Sequence, residues 1–113
     1  MNLLVDAVNP QIQCVRLIGR LDMPGSGEID LRFTALTTTD DKPVIVDLAG
    51  VDFIASIGMR LLISCAKAKA QRGGQMLLVN PQPTVREALE MAGIDSLIPI
   101  HADEAAALAA LQA

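Results

Sequence analysis

The chain has 113 residues, 51% hydrophobic and 19% charged, with a formal net charge of −4. That is enough for one domain, residues 1–113, with a proper core, and the dispersed charges point to a folded globular protein rather than a disordered one. There is no basic stripe, and the only aromatic residues are two Phe, which argues against a nucleic-acid partner held by cationic tracking or base stacking.

In chain order, a strand is predicted from Leu3 to Val8, stopped by the turn dipeptide Asn9-Pro10. A second runs from Ile12 to Ile18 and ends at Gly19, so the two form an antiparallel hairpin. Gly19-Arg20-Leu21-Asp22 leaves that strand, and Pro24 to Gly27 reads as a loop or an irregular helix start. Ile29, Phe33 and Leu36 recur at i, i+4 and i+7, one face of a first helix, with Thr37-Thr38-Thr39-Asp40-Asp41 as a solvated loop after it. Val44 to Leu48 is a β-branched run of the kind buried on both sheet faces. A turn over Asp52–Ala55 leads into a second helix from Ile57 to Arg72. Its stripe is Leu62, Ala66 and Lys69-Ala70, widened by Met59 and Ile63; Lys67, Lys69 and Arg72 suit its negative end, and Gly73 caps it. Met76 to Val79 is a central strand. Thr84 and Glu87 have the spacing of a capping box, opening a third helix that stops at Gly93. Leu97 to Ile100 reads as an edge strand and Asp103 to Leu111 as an alanine-rich helix. The order β-β-α-β-α-β-α-β-α predicts an α/β fold, a mixed, mostly parallel central sheet with helices packed on it.

Cys14 and Cys65 stand far apart with no metal-binding spacing, and read as buried free thiols. The first residues lack the basic and apolar regions of a signal peptide, and charges interrupt every apolar run. The expectation is a cytoplasmic chain with no direct membrane insertion.

Catalysis is hard to assemble. The single histidine, His101, ends the last predicted strand, and Ser56 lacks the first glycine of a nucleophile elbow. Gly73-Gly74 follows a helix instead of opening one, so it is a cap and not a phosphate loop. Asp22, Asp47 and Asp52 lack the adjacent acids of a receiver-type metal site and read as caps and turns. No metal, no cofactor and no enzymatic activity are expected. What remains is Ser56, at the junction of a buried strand and a helix. Its hydroxyl either caps the free N–H groups of the first turn, the commoner role, or accepts a phosphate facing the positive end of the helix.

The stretch Val44-Ile45-Val46-Asp47-Leu48-Ala49-Gly50-Val51-Asp52-Phe53-Ile54-Ala55-Ser56-Ile57-Gly58-Met59 resembles the signature of STAS domains, more narrowly of bacterial anti-sigma-factor antagonists. Gly19-Arg20-Leu21-Asp22 is similar to the family's G-x-L-D, Gly73-Gly74-Gln75-Met76-Leu77-Leu78-Val79 to its G-G-hydrophobic strand, and Val85 to Gly93 to its third helix. The resemblance covers nearly the whole chain and implies the STAS fold. It maps the family's phosphorylated serine onto Ser56 and the glycine of D-S-x-G onto Gly58; the sequence departs from the pattern at Ala55, Ile57 and Arg60. It implies a partner switch. The unphosphorylated form binds an anti-sigma factor that is also a serine kinase of the histidine-kinase-like ATPase fold, freeing the sigma factor. Phosphorylation of Ser56 breaks that complex, and a metal-dependent serine phosphatase restores it. The partner-binding residues expected on this basis are Asp22, Ala55, Ser56, Ile57, Gly58, Met59 and Arg60, with Ile57 and Met59 forming a small apolar patch and Gly58 flattening the surface. STAS domains also resemble a constitutive subunit of lipid-transporting ABC systems, or another transporter-associated scaffold. That alternative would leave Ser56 as a structural cap.

Overall fold

The computed structural model describes residues 1–112, with side chains throughout except at 7–9. Strands β1 (Asn2–Asn9) and β2 (Ile12–Leu21) form the expected antiparallel hairpin. Then follow α1 (Met23–Thr38), β3 (Val44–Ile54), α2 (Ser56–Gln71), β4 (Met76–Val79), α3 (Pro83–Met91), a 3-10 turn at Ile94–Ser96, β5 (Ile100–His101) and α4 (Glu104–Gln112). The sheet order is β1-β2-β3-β4-β5, and every pair after the hairpin is parallel. The α/β class, the element order and the mostly parallel sheet are as predicted from sequence.

This strand order dictates where the helices go. Each β-α-β crossover steps one strand in the same direction, and right-handed crossovers taken in one direction put their helices on one face. Accordingly Ile29 and Phe33 of α1, Leu62 and Cys65 of α2, and Val85 and Leu89 of α3 share one core with Val15, Leu17, Val44, Val46, Leu48 and Leu78. The last helix follows the final strand, is free of that constraint, and lies on the opposite face, where Ala107 packs with Cys14, Ile45, Leu77 and Val79. Both cysteines are free and buried. Burial first, and Glu104 second, push the Cys14 thiol up to about 12, so it stays protonated and unreactive.

Several boundaries differ from the sequence expectations. Strand β2 does not end at Gly19; that residue takes φ +123° within a bulged stretch and the strand continues to Leu21. Strand β3 continues through Ala49-Gly50 to Ile54, so Asp52–Ala55 is not a turn. Helix α1 starts at Met23, because the Asp22 side chain caps it and Pro24 falls in the first turn, where a missing N–H costs nothing. Thr37-Thr38 is the last turn of α1 instead of a solvated loop: the hydroxyls of Thr37 and Thr38 donate to the carbonyls of Phe33 and Thr34, and Thr37 is buried. The capping box is not formed. Pro83, with its fixed φ, starts α3 one residue before Thr84; the N-cap is Gln82, whose side chain makes no cap bond and instead donates to the Ala49 carbonyl at 2.9 Å. The predicted Leu97–Ile100 strand shrinks to Ile100–His101, preceded by the 3-10 turn, with the Pro99 carbonyl accepting from Leu78 N–H at 2.9 Å.

The glycines after α2 cap it as expected: Gly73 takes φ +86° and donates to the Ala70 carbonyl, and Gly74 donates to that of Lys69. No helix among the described residues is long and apolar enough to cross a membrane.

Candidate functional site

At the C-terminal ends of β2 and β3 the chain turns twice, into α1 and into α2, and the two turns touch. The Ala55 N–H donates to the Leu21 carbonyl at 2.9 Å. Gly58, in the first turn of α2, lies against the same residue: a Cβ there would sit 2.7 Å from the Leu21 oxygen and 2.9 Å from its Cβ. Gly58 is buried. Its lack of a side chain therefore serves an internal approach of α2 to β2, and not the flat outer surface expected from sequence.

Ser56 is exposed, and it is the first residue of α2, not its N-cap. The cap is Ala55, in extended conformation at φ −102°, ψ 171°, whose carbonyl accepts from Met59 N–H at 3.1 Å. No side chain caps this helix end. The capping role predicted for the serine is thus absent, because β3 runs on to Ile54 and shifts the cap position to residue 55. The Ser56 hydroxyl has no partner among the described residues, and no acidic residue lies in the first turn of α2. It is a free nucleophile-bearing group beside unsatisfied N–H donors.

Asp22 has a defined job. Its Oδ1 accepts from Gly25 N–H at 2.8 Å, capping α1, and its Oδ2 lies 3.3 Å from Arg20 Nε. The Gly25 N–H first, and Arg20 second, hold its carboxyl below the usual carboxylate range. Arg20 in turn stacks over the Phe53 ring, 4.3 Å from guanidinium carbon to ring centre. Asp22, Arg20 and Phe53 therefore form one rim beside the junction. Of the predicted apolar patch, Ile57 is exposed at 40%, whereas Met59 packs partly into the core. Ala55 is half-buried and Arg60 exposed. Sequence reasoning missed Met23, 72% exposed at the start of α1, and Phe53, 40% exposed at the end of β3. Strict alternation past Leu48 would have put Val51 outward and Asp52 inward, the reverse of what is found, because β3 pairs irregularly with β2 here; reading Asp22 as the cap of α1 would have brought Met23 to the rim.

Between α1 and α2 runs an open groove of about 410 Å³, lined by Ser26, Asp30 and Thr34 on one side and Ile57, Arg60 and Ser64 on the other. The three acids considered from sequence do not converge. Asp22 caps α1; Asp47 accepts from Ala49 N–H at 2.9 Å and pairs with Arg16 at 3.4 Å; Asp52 is exposed on β3. Among the described residues, no group of three or more His, Cys, Asp or Glu side chains is arranged to hold a metal ion.

A sequence profile of the STAS domain matches residues 4–107. The chain belongs to the STAS domain family. It is similar to the putative anti-sigma factor antagonist BtrV of Bordetella bronchiseptica, at 28% identity over 99% of this chain and 96% of the relative. An anti-sigma F factor antagonist of Paenibacillus polymyxa is 27% identical over 99% and 97% of the two chains. Among solved structures, the anti-sigma factor antagonist SpoIIAA in its unphosphorylated form superposes with a TM-score of 0.76 at 22% identity, over 98% and 96% of the chains. The STAS fold is thereby established for this chain, and its curated relatives are named as anti-sigma factor antagonists.

Proposed function

We propose that this STAS domain is an anti-sigma-factor antagonist switched by phosphorylation of Ser56. In this reading the unmodified protein docks the rim around Ser56, with Asp22, Ile57 and Arg60 and the newly found Phe53 and Met23, onto an anti-sigma factor of the histidine-kinase-like ATPase fold. The sigma factor is released. The same partner transfers the γ-phosphoryl group of ATP to Ser56: the Oγ–P bond forms, the bond to the β-phosphate oxygen breaks, ADP leaves and the hydroxyl proton is lost. A serine phosphatase reverses this by hydrolysis, freeing inorganic phosphate. The domain itself supplies no catalytic group, and the exchange takes place in the cytoplasm.

The observation that carries the reading is that Ser56 is exposed at the first position of α2 with its hydroxyl uncommitted, in a chain whose relatives bear this function by name. A structural serine would be expected to cap; this one does not. A phosphate there adds close to two negative charges, which the N-terminal end of a helix tolerates in the free protein. In a docked interface the same dianion must be desolvated, and a penalty of about 4 kcal/mol weakens binding roughly a thousandfold.

The test is affinity capture from the native host with wild-type, Ser56→Ala and Ser56→Glu proteins as parallel baits, followed by titration of the captured partner. A histidine-kinase-like ATPase held by wild type and Ser56→Ala and lost by Ser56→Glu supports the switch. Equal retention by all three removes it, and transporter subunits held equally by all three replace it with the constitutive scaffold.

A further inference from the structure

We propose that Arg60 is the intramolecular receptor for a phosphate carried on Ser56, so that modification both adds a dianion to the rim and withdraws a cation from it. The proposal rests on the reading of Ser56 as phosphoacceptor and adds to it a residue of this chain that departs from the family pattern.

The geometry is that of one helix face. Arg60 stands four residues after Ser56 in α2, so their Cβ atoms are neighbours at about 6 Å. Helical side chains lean toward the N-terminus and cover the preceding turn, which sends the guanidinium of residue 60 back over residue 56 and not away from it. The arginine is also free to move. Arg16, Arg20, Arg32 and Arg86 each hold a partner, whereas the side chains of Arg60 and, at the far end of α2, Arg72 are exposed and make no hydrogen bond or ion pair among the described residues. The acid that lines the groove with Arg60 is Asp30 of α1, whose Oδ1 already accepts from the Thr34 hydroxyl at 3.1 Å. Further charges around the junction are Asp52 on β3, the paired Arg20 and Asp22 at the end of β2, and the Met1 ammonium paired with Glu28 of α1 beside them. A phosphate dianion with three acceptor oxygens outbids a singly charged carboxylate, and the planar guanidinium fork suits it in a way that an ammonium does not.

The consequence is a two-part change of surface. Before modification, Arg60 lines the α1–α2 groove beside Ile57 and presents its charge there. After modification, it is drawn one turn toward residue 56 and its charge is neutralised locally. A partner that uses the groove meets a new anion and loses a cation in the same event.

Phosphoserine introduced at position 56 during translation tests this without any kinase. The 31P resonance is followed through a pH titration in the wild-type background and in Arg60→Gln, an exposed helix substitution that keeps helix propensity. Against a second phosphate pKa of roughly 6, the wild-type background should titrate about half a unit lower than Arg60→Gln, about a threefold change in proton affinity. Arg60→Lys should recover part of the gap, and roughly 1 M salt should close it. Superimposable curves for the wild-type background and Arg60→Gln overturn the proposal. So does an equal gap produced by Lys67→Gln, about two turns beyond Arg60 along α2, which would make the effect a diffuse field. Failure of the phosphoacceptor reading is separate: it is seen when the phosphoserine protein binds its partner as tightly as the unmodified one, whatever the titration gives.

Discussion

At its C-terminal end α2 is fastened: Lys69 is fully enclosed, and its ammonium donates to the Asp40 carboxylate at 2.8 Å and to the Asp40 carbonyl at 3.0 Å. Gly74 belongs to the same fastening, because a Cβ there would sit 2.5 Å from Lys69 Cδ and 2.8 Å from the Asp41 carbonyl. At its N-terminal end, thirteen residues before Lys69, Ser56 is exposed and its hydroxyl has no partner among the described residues. Polar groups that hold a fold together are paired and buried, since leaving them unpaired costs far more than pairing them gains. A polar group that is neither paired nor buried contributes little to stability, and is free to carry chemistry. One helix thus serves as an anchored arm with an open tip.

The contrast predicts where substitutions hurt. Lys69→Ala should lose the most, about 3 kcal/mol in urea unfolding, because it removes the ion pair and leaves a channel. Lys69→Met fills that channel and should cost about half as much; equal losses in the two variants would show that packing contributes nothing. The pair also sets an acid limit. The hydrogen bond from Lys69 first, and the Lys42 N–H second, hold the Asp40 carboxyl below its ordinary 3.8. A carboxyl depressed in the folded state contributes stability that is complete above its unfolded pKa and is lost as pH falls through its folded one. Wild-type urea midpoints should therefore drop below about pH 4, and Asp40→Asn should flatten that part of the profile.

A smaller loss is expected at the open end. Gly58→Ala pushes a methyl group against the Leu21 carbonyl and should cost about 2 kcal/mol, with partner binding weakened further because Ser56 shifts with the helix. The smallest effect belongs to Ser56→Ala. A true N-cap loses about 1 kcal/mol on such a change, whereas a hydroxyl without a partner should move stability by under about 0.5 kcal/mol. A loss as large as a cap's would show that the hydroxyl is engaged after all, and would erase the contrast between the two ends.

The fold was legible in the chain because its signals are local and strong: a β-branched run at Val44–Val46, a continuous apolar run at Met76–Val79, and helical spacing at Ile29 and Phe33, later found buried. The boundaries were less so. Gly19 read as a terminator, yet it lies inside a strand, as does Gly50, where glycine marks an irregular or close pairing. The position of Ser56 was legible from its spacing, but its relation to the helix was not. Whether a residue is the cap or the first helical residue depends on where the preceding strand stops, and β3 runs six residues beyond Leu48. Lys69 was read both into the apolar stripe of α2 and as a charge suiting the helix end; the spacing pointed to its burial, but no acidic residue within ten positions could pair with it there. Its partner, Asp40, is 29 positions away.

The unbroken strand order also governs how the sheet is made. Each strand pairs with the one synthesised just before it, so no later segment has to wedge between two that have already joined. The hairpin offers the first edge, and every β-α unit thereafter extends it by one place, which keeps the chain closed at each step short and its entropic cost low. A growing chain emerging from the ribosome could add these units in turn, with Ser56 taking its place as soon as β3 docks and the fastening at Lys69 following in the same unit.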